Sequence, residues 1–318
     1  MSVWITGAHG FIGSHLARQL SRTGELVVGI GHGAWPEAES ASWGISHWIN
    51  GEISASNLAS LSQSVGLPDT VFHLAGGSSV GIAIANPLED FRRTVDSTAE
   101  LLDWLRQHAP NARLVAVSSA AVYGNAHRDP IAETASVQPY SPYGSHKYLM
   151  EELCRSYATN FGLRIVLPRL FSVYGTGLKK QLLWDMCCKL SGSGHVELGG
   201  SGEELRDWIE VRDVVRVLQR LPVLADTDAR VVNVASGKAT AVKEITALVG
   251  AAWQAMGRAA SDITFNGKSR PGDPFSLVAD TALMQTLEIG DLVPVQQGVD
   301  DYVRWFCTQQ ADYGLKGS

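Results

Sequence analysis

A glycine-punctuated turn between a strand and a helix constrains this chain more than any other feature. The run Val3–Thr6 reads as a strand. Gly7, Gly10 and Gly13 follow at three-residue spacing, and Phe11, Ile12, Leu16 and Leu20 then recur along one helical face. Glycines at this spacing also occur in loops that bind nothing. The strand before them and the helix after them turn the spacing into a dinucleotide-binding signature. Gly7 permits the tight turn, Gly10 lets a pyrophosphate approach backbone N–H groups, and Gly13 lets the helix pack closely on the sheet.

The rest of the first half continues the same alternation. Strand-like runs at Val3–Thr6, Leu26–Ile30, Thr70–Leu74, Leu114–Ser118 and Arg164–Leu167 are separated by helical patterns, notably Leu88–His108 and Tyr143–Phe161. Strands spaced by helices predict right-handed crossovers and a parallel sheet covered on both faces. That is a doubly wound, Rossmann-type α/β fold. After Pro168 the pattern changes. Glycines and loops dominate residues 174–202, a strand-like segment follows at Val231–Val234, and helical runs at Val242–Met256 and Gly298–Phe306 close the chain. The expected division is a dinucleotide-binding domain over residues 1–168 and a smaller C-terminal substrate-binding lobe over 169–318. The chain is expected to return to the first domain near 207–238.

Several function classes are disfavoured by composition. The net charge of −6 argues against nonspecific nucleic-acid binding, so an anionic substrate would be gripped by a few local arginines. Cys154, Cys187, Cys188 and Cys307 show no Cys-x-x-Cys spacing, which fits reduced thiols in a cytoplasmic protein. No apolar run reaches the roughly 18 residues of a spanning helix, and the N-terminus enters a strand without a signal-like segment. No membrane association is therefore expected. The nine histidines are scattered without a helical metal-binding pair, so no metal is expected.

A second motif supplies chemistry. Tyr143 and Lys147, in Tyr-Gly-Ser-His-Lys, share a helical face one turn apart. A free phenol is about one part in a thousand ionised at pH 7, and a neighbouring cation favours the phenolate. Alone the spacing is common; downstream of the glycine turn it describes an acid/base beside a dinucleotide.

Together these residues resemble the extended short-chain dehydrogenase/reductases, the NAD(P)-dependent epimerase/dehydratase group that acts on nucleotide sugars. The resemblance spans nearly the whole chain. It rests on Thr6–Gly13, Phe72-His73-Leu74-Ala75-Gly76, Ser118-Ser119-Ala120-Ala121-Val122-Tyr123-Gly124 and Ser141-Pro142-Tyr143-Gly144-Ser145-His146-Lys147. It continues through Pro168–Gly175, Arg206-Asp207-Trp208-Ile209 and Arg270-Pro271-Gly272-Asp273. The resemblance implies that Tyr143 is the acid/base, that Lys147 also holds the nicotinamide ribose, and that Ser119, with Ser118 as the alternative, bonds the reacting sugar oxygen. It implies a cofactor groove formed by Gly7, Gly10, Phe11, Ile12, Gly13, His32, Glu52, Ile53, Leu74, Ala75, Gly76 and Ser118. Ser78, Ser119, Ser172, Arg206 and Arg270 are the implied substrate-binding residues, the two arginines gripping the diphosphate of a nucleotide-diphosphate sugar through paired N–H bonds. Lys179 and Lys180 are weaker candidates for the same grip, since a lysine pair is most often a solvated loop face. A homodimer through the two long helices is also implied.

Two departures from the family pattern narrow the reaction, and a third is smaller. The second strand ends at Gly31, where NAD-using relatives carry an acid for the adenosine ribose. Its absence favours NADP, with NAD the alternative, and leaves His32 as the local candidate for a 2′-phosphate. The Asp-Glu pair of 4,6-dehydratases is replaced by Ala120-Ala121, which cannot move protons, so dehydration is not expected. Thr94 stands where many relatives have asparagine. The favoured expectation is reduction of a 4-keto sugar nucleotide by hydride transfer. The alternative is a UDP-glucose 4-epimerase-like enzyme with retained NAD, and a remote third reading is a non-catalytic cofactor sensor.

Overall fold

A computed structural model describes residues 1–192, 195–268 and 274–314 of the chain. Strands β1 (Ser2–Thr6), β2 (Leu26–Gly31), β3 (His47–Asn50), β4 (Thr70–His73), β5 (Arg113–Ala116), β6 (Ser118–Ser119) and β7 (Arg164–Leu170) join the later strand Arg230–Val234 in one eight-stranded sheet. Its order is β3-β2-β1-β4-β5-β7-(230–234), with β6 paired to β7, and every pairing is parallel. This is the doubly wound Rossmann arrangement.

Successive side chains serve opposite layers, as the two-residue period of a strand requires. Val3, Ile5, Phe72, Val115 and Val166 pack with Leu16, Ala17 and Leu20 of the Phe11–Arg22 helix. Trp4, Val71, Leu114 and Ile165 pack on the other face with Leu101, Leu102 and Leu105 of the Ser97–His108 helix and Met150 and Cys154 of the Pro142–Phe161 helix. Burial on both faces is why these strands read as near-continuous apolar runs. The order reverses at β1, with β2 on one side and β4 on the other. Doubly wound sheets bind ligands in the crevice that opens there, beyond the strands' C-terminal ends.

The later residues build a second core from Tyr174, Leu183, Met186, Val196, Ile245, Val249, Trp253, Tyr302 and Phe306. Beside it, Leu205–Glu210 pairs with Ala239–Ala241, Ser276–Leu277 and Ser172–Tyr174. Immediately after Glu210 the chain goes back to the large sheet. The Val211–Arg220 helix buries Val214, Val217 and Leu218 in the first layer, and Arg230–Val234 then extends the sheet beyond β7.

Two local expectations need correction. Residues 88–108 are not one helix but Pro87–Phe91, a π-helical turn Arg92–Asp96, and Ser97–His108. Thr98 Oγ1 donates to the Thr94 carbonyl at 2.6 Å, a side-chain bond that competes with the regular ladder at the distorted turn. The stretch 174–202 is not mainly loop, because Gln181–Ser191 is helical and buries Leu183, Met186, Cys187 and Leu190 at helical spacing. Its glycines fall outside that helix. Among the described residues no helix is long and apolar enough to cross a membrane.

Candidate active site

A cavity of about 1270 Å³ runs from the glycine turn to the Pro142–Phe161 helix. At one end it is lined by Gly7, Gly10, Phe11, Ile12 and Gly13, with Gly31, His32, Glu52 and Ile53 from the ends of the neighbouring strands. Gly7 takes φ +72°, a conformation that L side chains rarely adopt, and its N–H donates to Ile30 O at 2.7 Å. A Cβ at position 13 would lie 2.3 Å from Gly7 O. The Phe11–Arg22 helix begins at Gly10 without a side-chain cap and with no acid in its first turn. Its first N–H groups therefore face the cavity as an anion site, with the helix dipole in support. This cradle fits a dinucleotide pyrophosphate.

Leu74, Ala75 and Gly76 form the next stretch of wall. Thr6 Oγ1 accepts the Ala75 N–H at 3.2 Å and lies 2.7 Å from His73 Nδ1, while His73 Nε2 lies 2.8 Å from Thr98 Oγ1. Burial, aided by the Lys147 charge, lowers the His73 pKa to about 3. The ring is thus a neutral peg that ties the ends of β1 and β4 to the Ser97–His108 helix.

Tyr143, Lys147, Ser118, Ser119, Ala120 and Ala121 line the far end. The Pro142–Phe161 helix starts there because Ser141 accepts the Gly144 N–H and Pro142 occupies the first turn. Lys147 Nζ donates to Val117 O at 2.9 Å, and a Cβ on Gly76 would lie 3.2 Å from it. Burial lowers the Lys147 pKa to about 8, against the opposing pull of Asp90 and Glu151. The phenol differs from the simple cation-activated picture. Burial raises the Tyr143 pKa, a hydrogen bond with Ser119 lowers it, and the Asp90 charge raises it. Lys147 is anchored to the Val117 carbonyl, and Ser119 is the neighbour that favours phenolate. The two serines separate clearly. Ser118 is buried and its Oγ donates to Glu151 Oε1 at 2.6 Å, whereas Ser119 Oγ accepts the Ala121 N–H at 3.2 Å. Ser119 is thus free of Glu151 and stands beside the Tyr143 phenol, facing the cavity.

Ser78, Ser172 and Arg206 line the same cavity, and Arg206 Nη1 donates to Leu205 O at 2.9 Å. Arg270 lies outside the described residues. Among the described residues there is no cluster of three or more His, Cys, Asp or Glu placed to hold a metal.

Several residues escaped the sequence reading. Glu151 receives Ser118 and, through Oε1 and Oε2, Arg169 Nε at 2.9 Å and Nη2 at 2.7 Å, which braces β6 against the helix that carries Tyr143. Asp90 Oδ2 lies 2.6 Å from His146 Nδ1 behind the site. Neither acid sits in a recognisable motif. Lys180 and Gln181 also line the cavity. Of these two, Lys180 was a weaker candidate in the sequence, where nothing local distinguished the lysine pair from a solvated loop, and Gln181 carried no signal.

Comparison with known proteins agrees with this geometry. The model of the NAD dependent epimerase/dehydratase family matches residues 3–235. The UDP-glucose 4-epimerase of Azospirillum brasilense is 28% identical over 321 residues, covering 95% of this chain and 90% of that protein. The solved complex of MoeE5 with UDP-glucuronic acid and NAD superposes with a TM-score of 0.84 at 30% identity, covering 97% of this chain and 100% of that one. The UDP-glucuronic acid 4-epimerase of Bacillus cereus, solved with UDP-glucuronic acid and NAD, gives a TM-score of 0.85 at 25% identity, covering 97% of this chain and 100% of that one. With a glycine cradle at one end of its cavity and a Tyr-Lys pair at the other, this chain belongs to the NAD-dependent epimerase/dehydratase family.

Proposed function

We propose that the protein is a nucleotide-sugar 4-epimerase acting on a UDP-linked hexose with retained NAD. The observation that carries the reading is the single acid/base set at the far end of the cavity. Tyr143 and Ser119 stand together, and Ala120 and Ala121 beside them have no protons to move. One such set serves one carbon. NAD, when bound, supplies a hydride acceptor that can also return the hydride. Tyr143 moves the proton at the sugar O4, Ser119 orients that oxygen, and Lys147 braces the adjoining wall through Val117. Arg206, with Arg270, grips the diphosphate. Residues 1–168 chiefly hold the cofactor and 169–318 chiefly the nucleotide sugar.

Epimerisation now displaces net ketoreduction as the favoured reading. The curated and solved relatives above are 4-epimerases or hold NAD with a UDP-sugar. Gly31 also reads differently in three dimensions. A Cβ there would lie 3.2 Å from Trp48 Cη2 and 3.3 Å from Gly7 backbone, so close packing is a second reason for a glycine at this position, beside any preference for a 2′-phosphate. Glu52, across the same end of the cavity, is ill suited to a 2′-phosphate. NAD therefore replaces NADP as the proposed cofactor. We place the enzyme in the cytoplasm as a homodimer. Support for the dimer is the exposed apolar set Ile82, Ile84, Leu88 and Leu149 on and near the two helices expected to pair.

The test is incubation of the purified protein with UDP-glucose and with UDP-glucuronic acid, without added cofactor, followed by NMR of the sugar. The expected result is the C4 epimer at equilibrium. Failure with both substrates, together with stoichiometric loss of NADPH absorbance on a 4-keto-6-deoxy-sugar nucleotide, would restore the reductase reading.

A further inference from the structure

Lys180 is a cation in the wall of the catalytic cavity with a neutral partner. Its Nζ donates to Ser78 O at 3.2 Å, and among the described residues no carboxylate forms an ion pair with it. The side chain is half-buried, and desolvation holds the ammonium below the ordinary lysine value. A lysine serving solubility would extend into water; this one is drawn against the cavity wall. The adjoining backbone is also unusual. Gln181, which lines the same cavity, takes φ 67°, a left-handed conformation that a non-glycine residue keeps only when its surroundings impose it.

Position within the cavity says which part of a nucleotide sugar would meet this charge. Ser78 lies two residues beyond Gly76, where an added Cβ would come within 3.2 Å of Lys147 Nζ, and both residues line the cavity with Tyr143 and Lys147. Lys180 therefore stands at the end where the sugar reacts. In a hexose that reacts at C4, the diphosphate hangs from C1 on the opposite side of the ring, while C5 and its C6 substituent adjoin C4. An anion met at the reacting end is thus a group at C6. Resting on the epimerase reading, we propose that the substrate is a nucleoside-diphosphate uronic acid and that Lys180 recognises its C6 carboxylate.

The experiment compares wild type, Lys180→Met and Lys180→Arg with UDP-glucuronic acid and UDP-glucose, by calorimetric binding and by NMR turnover. Wild type should bind and turn over UDP-glucuronic acid at least about tenfold better, the scale of one charge-assisted bond. Lys180→Met should lose about that factor on UDP-glucuronic acid and stay within about twofold on UDP-glucose, while Lys180→Arg retains the preference. Equal loss on both sugars would overturn the proposal, since it would place the lysine on the shared diphosphate or on the Ser78 loop. A wild-type preference for UDP-glucose would overturn it as well. Wild type that binds UDP-glucuronic acid preferentially without epimerising it would uphold the carboxylate site and overturn the epimerase reading alone.

Discussion

The two ends of the cavity are built on different principles. The glycine end is a backbone construction: a left-handed Gly7, a helix start without a cap, and a Gly13 that a methyl group would drive to 2.3 Å from a carbonyl oxygen. The sugar end is a side-chain construction, with Tyr143, Ser119, Ser172, Lys180 and Arg206 converging from separate elements of both cores. The first end can bind any molecule with a dinucleotide's phosphates, because backbone N–H groups do not discriminate further. The second can be retuned one side chain at a time while the fold stands.

The largest effect that would separate the ends comes from Tyr143→Phe. Turnover should fall at least about 100-fold, the scale of a positioned proton donor, while NAD affinity remains. Single-turnover hydride transfer at the wild-type rate would show that the two ends do not divide the work in this way. Arg206→Ala comes next. Removing a charge-assisted bond should weaken UDP binding by about 2–3 kcal/mol and leave NAD binding unchanged. Titration calorimetry with UDP decides it, and a fall in NAD affinity instead would put Arg206 on the wrong side of the comparison.

The same contrast explains what the sequence could disclose. The glycine end is legible because its conformational demands exclude almost every other residue, so three glycines after a strand carry the geometry with them. The Tyr143–Lys147 pair is legible because the two residues lie one helical turn apart on the same helix. The difference between the surroundings of Ser118 and Ser119 was not, because it depends on Glu151, a residue 33 positions from Ser118 that claims its hydroxyl from another element. Lys180 could be named only as a weaker candidate for a similar reason: its partner, the Ser78 carbonyl, is 102 residues away. The break in residues 88–108 was equally obscure, because apolar periodicity continues through the π-helical turn. The Gln181–Ser191 helix was lost among glycines that flank it. Contacts between segments distant in sequence leave no local pattern.

The smallest predicted effect lies at the glycine end and asks whether a side chain can tune a surface made of backbone. Gly31 faces the cavity beside His32 and Glu52. An aspartate there would set a negative charge where the 2′-phosphate of NADP would lie. Two like charges a few ångströms apart repel by about 1 kcal/mol even in water. The same aspartate must make room for its Cβ, 3.2 Å from Trp48 Cη2, so the indole edge has to give by a few tenths of an ångström. Wild type should already prefer NAD, and Gly31→Asp should widen that preference by about 1 kcal/mol through weaker NADP binding. Fluorescence titration of both proteins with both cofactors measures the two ratios. A wild type that prefers NADP would return position 31 to its first interpretation, as the place where an acid was removed to admit a phosphate. An unchanged ratio in the variant would mean that the 2′ position lies away from Gly31, leaving cofactor choice to Glu52 and His32.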